Sequence, residues 1–413
     1  MLEFYKQFRD EDLELVQEYL ERRYLEKRKK NTFGVVFDIL HQCDLACVGC
    51  GTNAIYYGSE RLDVELPSLE QINLVYDTVK EYVDSVNLPA FINIGGGEPF
   101  LRRDIIEVLS NGAKRFGATG MGVDTNGTLD ESFDLIMEAM TFCKYVGISV
   151  NGLEEYHNWW AGNKKINAFR RSMETVKRIC VAGEDEAAKL EVTSVSSAKN
   201  LKDLPVLIEL LADIGVKNYS IHRAMPVGRM FKHPELLPTA KDYFQLLIDI
   251  IKVSKQTGME VHLHHSIESI HETLLLGKET YIEEKAGNHD MGSSVGIEPE
   301  GRLVFDPWCT SGMWKLLSSP GCIYDGNIRF ENLLTDKGSI FDLTKAYTVR
   351  HIRCNGCTQD CAGGSRIVAA ACDLVGIEEI DANLSKLLTS MRAIDPACPL
   401  YEQKKAEDED DEF

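Results

Sequence analysis

Apolar and polar residues follow two different periods along this chain. Between residues 33 and 265, short apolar runs rich in β-branched and aromatic residues alternate with longer stretches whose apolar residues recur at helical spacing. The short runs predict strands at 33–40, 90–96, 121–125, 145–150, 190–195, 218–223 and 260–265. The longer stretches predict helices at 68–84, 103–116, 130–142, 166–182, 201–214 and 236–257. Because strands and helices alternate, the pattern indicates parallel βαβ units.

The regularity of these units favours an α/β fold built on a partial (β/α)6, TIM-like barrel, with a doubly wound sheet as the alternative. One amphipathic, highly charged helix is predicted ahead of the first strand. The alternation stops near residue 270, and from residue 290 onward the sequence is rich in Gly, Pro, Asn, Asp and Cys. The predicted parts are a helical arm at 1–32, the barrel at 33–275, a small cysteine-rich domain at 290–400 and an acidic disordered tail at 401–413.

Charge and cysteine content narrow the class of protein. The chain has 413 residues, 12 of them cysteine, and a formal net charge of −20. Such an excess of acid argues against a nucleic-acid partner, and no apolar run is long enough to predict a membrane span. The charged start of the chain contains no apolar signal-peptide core, so we expect a cytoplasmic protein. Cytoplasmic thiols stay reduced, which favours metal binding or catalysis over disulfides.

Three cysteines follow the first predicted strand at the spacing C-x3-C-x2-C: Cys43, Cys47 and Cys50. A zinc knuckle is one interpretation, but structural zinc takes four ligands, usually in CxxC pairs, and no fourth cysteine is near in the sequence. A [4Fe–4S] cluster held by three thiolates instead leaves one iron open for a substrate. The triplet therefore predicts a [4Fe–4S] cluster with an open iron.

This triplet, in a loop after a first strand, resembles the signature of the radical S-adenosylmethionine (SAM) enzymes. The resemblance implies that the open iron binds the amino and carboxylate groups of SAM. It also implies that one electron from the cluster cleaves SAM to methionine and a 5′-deoxyadenosyl radical, which abstracts a hydrogen atom from a substrate. An electron donor such as flavodoxin or ferredoxin is the implied partner. The cofactors would supply the chemistry, while the protein orients and shields it.

Further segments at the carboxyl ends of predicted strands resemble motifs of the same family, and in β/α barrels that end of the strands carries the active site. Glycines allow close approach of the backbone to a ligand, and a glutamate accepts hydrogen bonds from an ammonium group. The resemblance implies that a GGEP stretch receives the amino group of SAM. The implied SAM-binding residues are Gly96, Gly97, Glu98, Thr125, Asn126, Ser149, Asn151 and Arg223.

A second group of cysteines lies beyond residue 300: Cys309, Cys322, Cys354, Cys357, Cys361, Cys372 and Cys398. A structural zinc ribbon on the stretch CNGCTQDC is one interpretation, but seven thiolates exceed what one tetrahedral zinc needs. The segment also resembles the SPASM extension of radical SAM enzymes. That resemblance implies two auxiliary [4Fe–4S] clusters.

The spacing of these cysteines departs from the usual SPASM pattern, because three residues separate Cys357 from Cys361 where five are common. Chain order assigns one outer cluster and one inner cluster, the inner one with an open iron or a non-cysteine ligand. There are two alternatives: either Cys372 and Cys398 exchange places between the clusters, or the segment holds a single auxiliary cluster. The assignment is Cys354, Cys357, Cys361 and Cys398 for the outer cluster and Cys309, Cys322 and Cys372 for the inner one.

The remaining candidate residues have structural interpretations. Cys143 and Cys180 lie in apolar stretches with a helical pattern and are expected in the core. His262 and His264 would share one face of a strand, but no nearby residue in the sequence completes a metal site, so a polar edge strand is favoured. The two tryptophans at 159–160 are expected to pack at the barrel rim.

These features favour a radical SAM oxidoreductase or maturase that modifies a peptide by crosslinking, oxidation or decarboxylation, because SPASM relatives commonly do so. The helical arm of about 33 residues argues against this substrate, since it is shorter than a separate leader-peptide-binding domain. A small-molecule substrate such as a sugar, nucleoside or tetrapyrrole is the alternative. The third alternative is a non-enzyme, either an iron–sulfur electron carrier or a zinc scaffold. Neither function requires a GGEP stretch or an open iron.

Overall fold

The structure is a computed structural model that describes residues 3–27, 32–57, 66–264, 267–277, 294–304, 322–325 and residue 399. Its strands are β1 (Phe33–Asp38), β2 (Gln42–Cys43), β3 (Ile55–Tyr56), β4 (Ala90–Gly95), β5 (Met121–Thr125), β6 (Tyr145–Ser149), β7 (Leu190–Ser196), β8 (Asn218–Arg223), β9 (Glu260–Leu263), β10 (Ser294–Ile297) and β11 (Leu303–Val304). Its helices are α1 (Asp10–Lys27), α2 (Leu69–Ser85), α3 (Ile105–Phe116), α4 (Phe133–Ala139), α5 (Glu154–Ala161), α6 (Ala168–Ala182), α7 (Glu184–Lys189), α8 (Asp203–Asp213), α9 (Ala240–Thr257) and α10 (Ile267–Leu276).

The main sheet confirms the predicted α/β fold class. Its strand order is β11-β10-β1-β4-β5-β6-β7-β8-β9, and every neighbouring pair is parallel except β10 with β11. The six strands predicted for the barrel are adjacent in the predicted order, which fits a partial TIM-like barrel. The seventh predicted strand, β9, continues the sheet beside β8.

The sheet also extends beyond the segment predicted for the barrel. Strand β10 pairs in parallel with β1, with Val35 opposite Val295, and β11 follows antiparallel to β10. These residues lie in the part of the chain that the sequence pattern assigned to the cysteine-rich domain. The pattern did not reveal them because β10 and β11 have only four and two residues. The proposed division of the chain into four parts stays a prediction.

Alternate strand residues face opposite sides of the sheet, as the period of a strand requires. One set packs in the main hydrophobic core against the helices, for example Phe37, Ile94 and Val192. The other set, which we call the inner face, points away from the helices and is rich in polar residues and glycine. The fold therefore places polar side chains along the concave side of the sheet.

The described part of the N-terminal segment contains two helical elements where the sequence pattern predicted one helix. A short 3-10 helix, Glu3–Gln7, precedes α1, which begins at Asp10. Helix α1 packs against α9 and α10, and the Tyr19 hydroxyl donates to buried Glu268 at 2.5 Å. No helix among the described residues is both long and apolar enough to cross a membrane.

Candidate functional site

The three cysteines of the C-x3-C-x2-C motif lie in the loop between β1 and β3. Cys43 closes β2, and β2 pairs in parallel with β3, which returns the chain beside it. Backbone N–H groups point at two of the sulfurs, from Leu45 to Cys43 Sγ at 3.4 Å and from Ala54 to Cys50 Sγ at 3.3 Å. The loop is therefore folded around its sulfur atoms.

Cys43 is buried, Cys47 and Cys50 are half-buried, and the three thiols would repel one another as anions. Burial raises the pKa of Cys43 well above its ordinary value, and the neighbouring Cys47 raises it further. Burial, with a contribution from Cys50, raises the pKa of Cys47 to about 12. A bound metal reverses this because a coordinated thiol is deprotonated. Three soft thiolate donors in one loop, with N–H groups at the sulfurs, fit an iron–sulfur cluster.

One side of the loop is held by the end of α5. Val48 N donates to Trp160 O at 2.8 Å, and Ala46 N donates to Ala161 O at 3.0 Å. The Trp160 indole covers Gly49 so closely that a Cβ at that glycine would collide with the ring. The buried Trp160 thus packs at the rim as expected, whereas Trp159 beside it is 41% exposed.

Asp44 connects the loop to the segment after β5. Its two carboxylate oxygens accept from Asn126 Nδ2 at 2.6 Å and from Thr128 Oγ1 at 2.5 Å. The Asn126 side chain, predicted as a SAM contact, is thus directed at the cysteine loop. Sequence analysis did not single out Asp44 or Thr128, and their separation of 84 residues gave no local signal.

Glu98 lies at the centre of the site and is 1% exposed. Its carboxylate accepts from Thr125 Oγ1 at 2.7 Å, from Asn126 N at 2.8 Å and from Phe100 N at 3.1 Å. Burial raises the pKa of Glu98 to about 7 and Asp44 adds to the shift, while the hydrogen bonds oppose it. The structure therefore brings Glu98, Thr125 and Asn126 together, and their contacts with SAM stay a prediction.

The glycines of the GGEP stretch approach the cysteine loop itself. Gly97 N donates to Leu40 O, and Glu98 N donates to Gln42 O, both at 2.8 Å. Gly96 has a φ of +112°, and a Cβ on Gly97 would collide with the carbonyl oxygen of Gln42. We expected the glycines to let the backbone approach a ligand closely. In the structure, the backbone of the GGEP stretch closely approaches that of residues 40–42.

The other predicted SAM-binding residues, at the ends of β6 and β8, have partners of their own. Ser149 Oγ lies 3.4 Å from the hydroxyl of Thr193. Asn151 Oδ1 accepts from the backbone N of Val195 at 2.8 Å. Arg223 is 2% exposed and its guanidinium lies 5.2 Å from the ring centre of a tyrosine on α9. Their predicted roles remain predictions.

Most of the second cysteine group lies outside the described residues. The exception is the half-buried Cys322, which begins the short described segment 322–325 beside the turn at Gly301. Cys309, Cys354, Cys357, Cys361, Cys372 and Cys398 are not described. Of the two expected core cysteines, Cys143 is buried and Cys180 is half-buried against the core.

The histidines lie on the edge strand β9 of the described sheet and its neighbour β8. His262 Nε2 is 3.3 Å from Glu260 Oε1, and His264 Nε2 is 3.3 Å from Ser220 Oγ. The His222 and His264 rings stack with centres 4.6 Å apart. Within the described ranges, no group of three His, Cys, Asp or Glu side chains is arranged to hold a single metal ion.

The chain is similar in sequence to several known proteins. Fe-coproporphyrin III synthase from Methanosarcina barkeri is 25% identical over 198 residues, which are 47% of this chain and 45% of that protein. A probable GTP 3′,8-cyclase from Saccharolobus islandicus is 26% identical over 224 residues, 53% of this chain and 65% of that protein. The chain thus spans about half to two thirds of the length of these relatives.

Two solved structures share the fold. SuiB from Streptococcus suis, bound to its precursor peptide SuiA, superimposes with a TM-score of 0.58 at 13% identity over 84% of this chain and 75% of that chain. The structure of anSMEcpe with bound AdoMet gives a TM-score of 0.59 at 17% identity over 91% of this chain and 99% of that chain. Residues 38–195, which contain the cysteine loop and Glu98, match the family model of the Radical SAM superfamily.

Proposed function

We propose that this protein is a radical SAM enzyme that modifies a peptide. The observation that carries the proposal is the folding of Cys43, Cys47 and Cys50 into one loop beside buried Glu98. When bound, the cluster and SAM would supply reductive SAM cleavage and hydrogen-atom abstraction. The chain supplies three thiolates from the cysteine loop and Glu98 as an acceptor for the SAM amino group.

The inner face of the sheet supports a peptide over a polyanionic small molecule. Asp124 on β5 and Glu191 on β7 stand in register on either side of Gly147 on β6. Burial raises the pKa of Asp124 to about 6 and that of Glu191 to about 7, so at pH 7 Asp124 is mostly ionised and Glu191 is half ionised. Among the described strands no lysine or arginine occupies an inner-face position, and one lysine, Lys144 directly before β6, lies with its Nζ 5.9 Å from the ring centre of Phe91 on that face. A triphosphate or a porphyrin with several carboxylates would be repelled there.

The structural neighbours support the same substrate class. SuiB and anSMEcpe were both crystallised with peptides, SuiA and Cp18Cys respectively. The curated relatives are named for small-molecule reactions, which supplies the competing candidate. The two candidates differ in which compound should stimulate SAM cleavage.

The first experiment tests SAM cleavage. Anaerobically reconstituted protein is incubated with SAM and dithionite, and 5′-deoxyadenosine is quantified for wild type, Cys43→Ala and Cys180→Ala. We expect product from wild type and from Cys180→Ala, because that cysteine lies away from the loop, and none from Cys43→Ala. Equal product from all three proteins contradicts the proposal. Iron well above ~4 atoms per chain supports the proposed auxiliary clusters, and ~4 or fewer contradicts them.

The second experiment tests the substrate. Short precursor-like peptides encoded beside this gene, GTP and coproporphyrin III are each added to the SAM-cleavage reaction. We expect a peptide to raise the rate and to change in mass. Stimulation by GTP or the porphyrin alone would replace the peptide with a small molecule.

A further inference from the structure

Two weak turns shape the cysteine loop. Cys50 N donates to Cys47 O, and Asn53 N donates to Cys50 O, each across a long 3.3 Å. Hydrogen bonds of this length contribute less than those near 2.9 Å. The loop therefore needs other contacts to keep its three thiols in place.

Arg229, in the segment after β8, supplies such contacts from about 180 residues away in the chain. Its Nε donates to Cys47 O at 2.6 Å and its Nη1 donates to Ala54 O at 2.6 Å. Its backbone N donates to Cys50 O at 2.9 Å. The same carbonyls that accept the two long turn bonds thus accept shorter bonds from Arg229.

The neighbouring glycine makes this approach possible. Gly228 has a φ of +57°, and a Cβ there would collide with the carbonyl oxygens of Cys50 and Gly51. The backbone of residues 228–229 therefore lies directly on the loop. The loop also packs on Trp160, so two parts of the barrel that are distant in sequence hold it.

We propose that Arg229 is a positioning residue that fixes the cysteine loop in its ligating shape before a cluster is inserted and keeps a permanent cation beside Cys47. The guanidinium is suited to this because two of its nitrogens, held in a rigid planar fork, each donate to a different carbonyl, whereas a lysine has a single nitrogen on a flexible stem. The proposal rests on the proposed function only where it names the cluster.

The first test uses the apoprotein and requires neither iron nor SAM. Amide hydrogen exchange over residues 43–57 is compared for wild type, Arg229→Gln, Arg229→Lys and Arg115→Gln. Arg115 is the matched control, because its Nη1 also donates to a backbone carbonyl, Asn111 O at 3.1 Å, but does so within α3, away from the cysteine loop. We expect about tenfold faster exchange at Cys50 and Asn53 in both Arg229 variants, since loss of charge-assisted hydrogen bonds frees the turns.

The exchange result decides the positioning role. Unchanged exchange in the Arg229 variants, or an equal increase in Arg115→Gln, overturns it. Exchange across β4 to β8 shows whether each variant is folded. If Arg229→Gln is not folded, the comparison with wild type is made with Arg229→Lys alone. If the protein bound no iron, the proposed function would fail, while this measurement would still test the loop.

The second test examines the cation. The midpoint potential of the reconstituted cluster is measured by EPR-monitored titration for the same variants. A nearby positive charge favours the reduced cluster, so Arg229→Gln should shift the midpoint to more negative potential and Arg229→Lys should stay nearer wild type. A merely structural role would shift both variants alike, and that result overturns the electrostatic part.

Discussion

Replacement of Gly97 by alanine should detach the GGEP stretch from the cysteine loop. The new Cβ would meet the backbone carbonyl of Gln42, which no side-chain rotation can move aside. The clash separates two hydrogen bonds of 2.8 Å, from Gly97 N to Leu40 O and from Glu98 N to Gln42 O. Their loss costs about 1 kcal/mol each, and overpacking adds about 1–3 kcal/mol. We therefore expect a loss of about 3–5 kcal/mol in unfolding free energy.

Gly95→Ala is the matched control, two residues earlier on the same stretch. A Cβ there would lie 3.2 Å from Asp38 Oδ1, a side-chain atom that can shift by a few tenths of an ångström. The expected cost is below about 1 kcal/mol, as for most substitutions without a backbone clash.

Urea denaturation of the apoprotein, followed by circular dichroism, measures both variants, and iron content after reconstitution reports the loop. Gly97→Ala should unfold at lower urea concentration and load less iron, whereas Gly95→Ala should resemble wild type. If Gly97→Ala matched Gly95→Ala within about 0.5 kcal/mol, the close approach of the two backbone segments would be unimportant.

Three further predictions follow from buried polar contacts. Burial lowers the pKa of His157 to about 4. As the pH falls from about 6.5 toward 4, this histidine is therefore protonated in the unfolded chain and still neutral in the folded chain. Between pH 7 and pH 5 the wild type should thus lose about 2 kcal/mol more unfolding free energy than His157→Gln, and parallel pH curves in urea titrations would contradict this. Thr125→Val removes a donor to buried Glu98 and should cost about 1.5–3 kcal/mol in the same assay, an unchanged midpoint being the contrary result. Tyr19→Phe removes the donor on α1 to buried Glu268 on α10 and should make α1 more sensitive to limited proteolysis, which an unaltered digestion rate would disprove.

Local patterns in the sequence determined much of the fold. The predicted strands at 121–125 and 218–223 coincide with β5 and β8 as observed, because a buried parallel strand needs a short apolar run between helices. Cys43, Cys47 and Cys50 were recognisable because all three ligands lie within eight residues of one another. Glu98 was recognisable because its motif is contiguous and follows a strand.

Tertiary structure decided how distant residues meet at the site. Asp44 joins Thr128 across 84 residues, and Arg229 joins Cys47 across 182. Neither pair leaves a periodic or motif signal, because contact depends on the order of strands in the sheet and on loop conformation. Gly97 shows the same limit: the sequence identified a close backbone approach, but only the folded chain showed that the neighbour is the Gln42 carbonyl. Local periodicity thus determined the elements and the ligand triplet, and long-range packing determined what holds that triplet in place.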